Sequence, residues 1–166
     1  MLCGKKDLAL TSSKPGKTQL INHFIINDAW YLVDLPGYGY AKAARSAREQ
    51  WEGFISEYIL QRKNLVCVFV LIDSRLEIQP IDAQFMQWLG EHEIPFCMLF
   101  TKTDKLTKNE LAKNMKEYET RMLGLWEELP HNFISSAEKK TGREEILNYI
   151  EENIKIYNRH LQEQKG

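Results

Sequence analysis

The sequence predicts an α/β protein, an open and mostly parallel sheet with helices on both faces. Two apolar runs, residues 65–72 and 95–101, carry no polar alternation, which is the pattern of strands buried on both sides. Stretches with apolar residues three and four apart follow each run, and strands alternating with helices make a parallel sheet. A hairpin signal ahead of them supplies one antiparallel edge strand.

Taken in order, residues 7–19 are rich in Ser, Thr, Lys and Gly, have no usable period, and read as a loop. Residues 20–26 and 30–35 are strand-like runs, and Asn27, Asp28 and Ala29 between them are suited to a tight turn. The pair ends at Pro36-Gly37, after which Gly37-Tyr38-Gly39-Tyr40 requires irregular backbone. A helix is predicted over 45–62, with Trp51, Phe54, Ile55, Tyr58 and Ile59 on one face. The buried strand over 65–72 is followed by a helix over 80–92 presenting Ile81, Phe85, Trp88 and Leu89. After the strand over 95–101, a helix over 109–125 turns Leu111, Met115, Tyr118 and Met122 inward. A short strand over 132–136 precedes a final helix over 144–161. With no internal repeat or low-complexity linker, residues 1–166 read as a single domain.

Composition narrows the function classes. A length of 166 residues suffices for one real core and is short for two. No apolar run approaches the roughly 18–20 residues a membrane span requires, and Met1-Leu2-Cys3-Gly4-Lys5-Lys6-Asp7 lacks the charge order of a signal peptide. The cysteine count is odd, and Cys67 and Cys97 sit inside apolar runs, so they read as small core residues in a reducing compartment. The expectation is a cytoplasmic monomer without a membrane partner. A net charge of −1 gives no bulk attraction to nucleic acid. Lys5-Lys6, Lys14 with Lys17, and Lys139-Lys140 with Arg143 are the local basic clusters, and each reads first as a solvated face.

In an open α/β sheet, ligands bind beyond the carboxyl ends of the strands. Three polar clusters fall there: Asp34-Leu35-Pro36-Gly37, Thr101-Lys102-Thr103-Asp104 and Ser135-Ser136-Ala137. An aspartate ending a strand can hold Mg²⁺ through water, and a glycine three residues on lets backbone N–H approach a phosphate. Alone, Asp-x-x-Gly is weak, since chance supplies about one match in every two chains this long. Thr-Lys-x-Asp is far more specific, at about 5% per chain for [Asn/Thr]-Lys-x-Asp. Its carboxylate suits the adjacent N1–H and amine of guanine, a donor pair that adenine lacks. The lysine stem can lie along the base plane. Small residues such as Ser135, Ser136 and Ala137 let backbone N–H reach a base carbonyl, and so select guanine O6.

Asp34-Leu35-Pro36-Gly37-Tyr38-Gly39-Tyr40-Ala41, preceded by Ser13-Lys14-Pro15-Gly16-Lys17-Thr18-Gln19, resembles the EngB (YihA/YsxC) family of bacterial P-loop GTPases. The likeness runs from the first residues to near the C-terminus. It implies a three-layer G domain, with GTP or GDP and Mg²⁺ as cofactors. Thr18 matches a switch I threonine that reaches Mg²⁺, and Asp34 with Gly37 matches the switch II metal and γ-phosphate contacts. Lys102 and Asp104 match the guanine-reading pair, and Ser136 with Ala137 matches the final base-contacting loop. The family implies GTP hydrolysis in the assembly of the large ribosomal subunit, with its protein and rRNA as partners, and a role in cell division and septation.

The sequence departs from that pattern in one respect. A P-loop reads Gly-x-x-x-x-Gly-Lys-[Ser/Thr], and five residues before Gly16-Lys17-Thr18 stands Thr11, with no apolar strand ahead of it. The family's phosphate loop and first strand match positions upstream of Met1, which implies a truncated gene model or a fragment. A second departure is Tyr38, where Ras-like proteins place a water-orienting glutamine, so hydrolysis is expected to be slow without a partner. The competing reading is a ribosome- or RNA-binding module that keeps the base-reading edge and has lost hydrolysis, and catalytic residues are unassigned in either case.

Overall fold

The computed structural model describes residues 1–3, 21–37 and 51–164. Its backbone contacts divide the chain into two compact units, Met1–Leu2 with Leu65–Gly166, and Cys3–Asn64. The larger unit is built on a parallel sheet, as the unbroken apolar runs require. Strand β3 (Val68–Asp73) lies beside β4 (Phe96–Thr101), which lies beside β5 (Asn132–Ile134). Helix α2 (Pro80–Glu91) connects β3 to β4, and α3 (Lys108–Leu123) connects β4 to β5. Helix α4 (Arg143–Glu163) closes the chain.

The register sets the strand ends level, with Val68 opposite Phe96 and Asp73 opposite Thr101. The ladder starts at Val68, three residues later than the apolar run. The Val68 N–H reaches the Pro95 carbonyl at 2.9 Å, and proline has no N–H to carry the ladder further back. Alternate residues of β4 serve opposite faces. Cys97 and Leu99 join Phe133 and Ile146 in one core cluster, on which Phe69, Tyr149 and Ile150 pack. On the other face Phe100 meets Tyr118 of α3 edge-on at 5.0 Å, and Phe96 meets Trp126 at 5.5 Å. Helices thus cover both faces, the layering expected for the fold class. Cys67 and Cys97 are free thiols with their sulfurs 3.8 Å apart.

Each helix of this unit begins at a different local signal, and a side-chain cap is present at α3. Pro80 occupies the first turn of α2, where its missing N–H costs nothing. Thr107 caps α3 reciprocally with Glu110: the Glu110 N–H donates to Thr107 Oγ1 at 3.3 Å, and the Thr107 N–H donates to Glu110 Oε2 at 2.8 Å. Helix α4 starts after Gly142, whose φ of 74° is left-handed. A Cβ there would collide with the Ile134 carbonyl oxygen.

In the smaller unit, β1 (Asn22–Ile26) and β2 (Trp30–Asp34) form an antiparallel pair, Ile26 opposite Trp30 and Asn22 opposite Asp34. Asn27 and Asp28 take positive φ of 51° and 52°, the turn chemistry that asparagine and aspartate tolerate, and Ala29 N–H closes on the Ile26 carbonyl at 3.0 Å. A π-helical turn (Trp51–Ile55) leads into α1 (Ser56–Gln61). The Ser56 hydroxyl donates to the Gly53 carbonyl at 2.9 Å, and Tyr58 OH lies 2.8 Å from His23 Nε2. The remainder of the helix predicted over 45–62, the loop over 7–19 and residues Tyr38–Tyr40 lie outside the described residues. No helix among those described is long and apolar enough to cross a membrane.

Replacing Gly142 by alanine is expected to destabilise the larger unit by about 2–3 kcal/mol, through left-handed strain plus backbone collision. Urea unfolding followed by fluorescence measures this, and a loss within about 0.5 kcal/mol would contradict the packing described.

Candidate functional site

At the carboxyl ends of β3, β4 and β5, hydroxyl side chains donate to carbonyls of the neighbouring strand ends, three of which also receive a backbone N–H. Thr101 Oγ1 donates to the Ile72 carbonyl at 3.0 Å. The Thr101 carbonyl receives Ser74 N–H at 3.1 Å and Ser74 Oγ at 2.8 Å. The Phe100 carbonyl receives Ser135 N–H at 2.7 Å and its hydroxyl at 3.0 Å. The Ser135 carbonyl receives Thr103 N–H at 3.3 Å and Thr103 Oγ1 at 2.9 Å. The hydroxyls of Thr101 and Ser135 are therefore occupied by backbone, while Lys102, Asp104 and Ser136 stand between them.

Lys102 turns the chain at the end of β4 in a left-handed conformation, φ 60°, and a short 3₁₀ turn (Thr103–Lys105) follows. Asp104 is thereby brought to the loop after β5. Its Oδ1 accepts the Ser136 hydroxyl at 2.6 Å, a charge-assisted bond, and its Oδ2 meets Lys105 Nζ at 3.1 Å. Ser136 is fully buried and also receives Lys139 N–H on its Oγ at 3.0 Å. Its own N–H donates to the Thr141 carbonyl, which closes the loop that carries exposed Ala137. Lys105 bridges onward to Glu138 at 2.7 Å.

The Ser136 hydrogen bond and then Lys105 hold the Asp104 carboxyl down to about 2, against a smaller opposing effect of burial. Lys105 is raised by Glu138 and by Asp104. The result is a carboxylate that stays ionised at any physiological pH, with its orientation set by a buried hydroxyl. Such a group accepts hydrogen bonds from two adjacent N–H donors.

A second carboxylate at this rim escaped the sequence reading. Asp73 ends β3, and its oxygens accept Arg75 Nε at 2.9 Å, Arg75 Nη2 at 2.7 Å and Lys102 Nζ at 2.9 Å. The Arg75 guanidinium, with Lys102, keeps its carboxyl well below the usual carboxylate range. The signal was available in Asp73-Ser74-Arg75, which directly follows the first buried apolar run.

Asp34 and Gly37 belong to the smaller unit. Asp34 ends β2 with its side chain exposed, opposite Asn22, and Gly37 is also exposed. Thr18 lies outside the described residues. Among those described, no group of three or more His, Cys, Asp or Glu side chains is placed to hold a metal ion.

A parallel sheet layered by helices, with Thr-Lys-x-Asp and Ser-Ser-Ala joined at its carboxyl edge, defines the class of P-loop GTPase domains. A family model described as a 50S ribosome-binding GTPase matches residues 1–102. A probable GTP-binding protein EngB from Christiangramia forsetii is 58% identical over 151 residues, covering 91% of this chain and 76% of that protein. Relatives of the same description from Porphyromonas gingivalis ATCC 33277 and Bacteroides fragilis YCH46 are 60% and 56% identical, each over 91% of this chain and 75% of their own length. The chain belongs to the EngB family of GTPases.

Because the folded Asp104 carboxyl titrates at about 2, below the roughly 3.9 of an unfolded aspartate, folding gains from its ionisation above about pH 4. That gain is lost as pH falls from about 4 through 2, and Asp73 contributes with the same sign in the same direction. In Ser136→Ala the Asp104 midpoint is expected to move up toward the ordinary value, and the acid-induced fall in stability to become shallower. Carboxyl-carbon NMR titration reads the midpoint directly; an unmoved midpoint would remove Ser136 as the cause.

Proposed function

We propose that this chain reads the guanine base of GTP and GDP through Asp104, with Lys102 alongside the base and the Thr101 and Ser135-Ser136-Ala137 loops framing it. The observation that carries the reading is the Asp104 carboxylate, kept ionised and oriented by the buried Ser136 hydroxyl. A fixed carboxylate matches the paired N1–H and amine of guanine and repels the lone pair that adenine presents at N1. The exposed loop at Ala137 leaves room for backbone to approach O6.

The same reading gives Asp34 and Thr18 to Mg²⁺ and Gly37 to the γ-phosphate. Mg²⁺ retains water and takes one or two protein oxygens beside the phosphates, so an exposed carboxylate at a strand end fits it, and a dense ligand cluster is not needed. When bound, the ion neutralises charge on the phosphates. Residues 1–166 act in this reading as one G domain. The relatives' description as GTP-binding proteins and the matching ribosome-binding GTPase family support a cytoplasmic GTPase that serves assembly of the large ribosomal subunit, and through it cell division and septation.

Asp104→Asn tests the base assignment. Losing two charge-assisted hydrogen bonds is expected to weaken GTP at least about tenfold, while xanthine nucleotides, whose carbonyl accepts from the new amide, gain. Competition among GTP, XTP and ATP for a fluorescent guanine nucleotide measures this, and unchanged preference would remove Asp104 from the base site. The ribosomal part is tested by sedimentation with large subunits in the presence of a non-hydrolysable GTP analogue. Co-sedimentation is expected, and its absence would leave a GTPase without that partner.

A further inference from the structure

Lys102 is a flexible side chain with a role that demands a fixed place. Its four-carbon stem has roughly 2 kcal/mol of rotamer freedom to lose, and an unrestrained stem would surrender that freedom each time a base arrives. At this rim the stem is already restrained. The left-handed turn at Lys102 brings its ammonium back to Asp73, the residue that pairs with Thr101 across the sheet.

Asp73 is itself immobilised. Arg75 grips both of its oxygens, through Nε on Oδ1 and Nη2 on Oδ2, and the Arg75 backbone N–H adds a second bond to Oδ1 at 3.2 Å. With Lys102 Nζ, four donors occupy the roughly four acceptor positions of a carboxylate. Little capacity is left for Asp73 to accept a donor from a substrate or to bind a metal ion. Nor is stability an adequate reason for the arrangement: Lys102 is 48% and Arg75 46% exposed, and ion pairs that open to water stabilise a fold little.

We propose that Asp73, backed by Arg75, is a positioning residue for base recognition, which holds the Lys102 ammonium at the end of β3 so that the lysine stem is ordered before the nucleotide arrives. The proposal rests on the reading that Lys102 and Asp104 face guanine. Asp73 touches neither base nor phosphate and acts only through Lys102. Arg75 acts one step further back, by fixing the plane of the carboxylate.

The test uses the whole 166-residue chain with GDP and Mg²⁺ as the probe, in calorimetric titrations of Asp73→Asn, Arg75→Gln, Lys102→Met and the double variant Asp73→Asn with Lys102→Met. Asp73→Asn is expected to bind GDP about three- to tenfold more weakly with a nearly unchanged melting temperature, and Arg75→Gln to follow in the same direction with a smaller loss. In the Lys102→Met background, Asp73→Asn is expected to add nothing, because the residue through which it acts is gone. NMR relaxation of the Lys102 methylenes is expected to show greater mobility in nucleotide-free Asp73→Asn than in the parent. GDP affinity unchanged in a folded Asp73→Asn, or a full further loss in the double variant, would overturn the proposal. The underlying reading fails separately, if Asp104→Asn leaves the guanine-over-xanthine preference as it was.

Discussion

A backbone carbonyl has two lone pairs, and at the end of a buried parallel sheet one backbone N–H fills only one of them. In this protein Ser74, Thr101, Thr103 and Ser135 each donate a hydroxyl to a carbonyl of the neighbouring strand end, three of which also accept a backbone N–H. The rest of the site follows from this lacing. With the strand ends level and tied, the residues between the hydroxyls are held at a rigid edge. Lys102, Asp104 and Ser136 occupy those places, so the structural and the chemical residues interleave along the same short segments.

Electrostatics then organises what the lacing exposes. Two carboxylates and their partners alternate in sign along the rim: Arg75, Asp73 and Lys102 on one side, Asp104, Lys105 and Glu138 on the other. Most of these pairs are open to water, where each is worth about 0–1 kcal/mol, so they matter for conformation more than for stability. Asp104 is the exception, with a side chain only 5% exposed and a buried hydroxyl as its principal partner. The bonds from Ser136 and Lys105 are what keep this carboxylate charged.

The two strand-and-loop segments of the smaller unit follow a different logic. There the hairpin is shaped by its turn, where Asn27 and Asp28 both accept left-handed backbone, and by alternation of half-buried and exposed residues along β1 and β2. The strand carries Asp34 and then Gly37 to an exposed end.

The elements of the parallel sheet were legible because burial on both faces imposes unbroken apolar runs, and the helices because their inward residues recur at three and four. Thr101-Lys102-x-Asp104 was legible for its rarity. What local pattern leaves open is contact across distant segments. That the hydroxyls of Thr101 and Ser135 serve backbone, that Ser136 rather than its neighbour holds Asp104 across 32 positions, and that Asp73 clamps Lys102 across 29, depends on strand register. Composition and periodicity thus determined which segments become strands and helices and which residue types reach the sheet edge. Tertiary structure decided which of those side chains meet, because a hydrogen bond between loops exists only once parallel pairing has set their strands level.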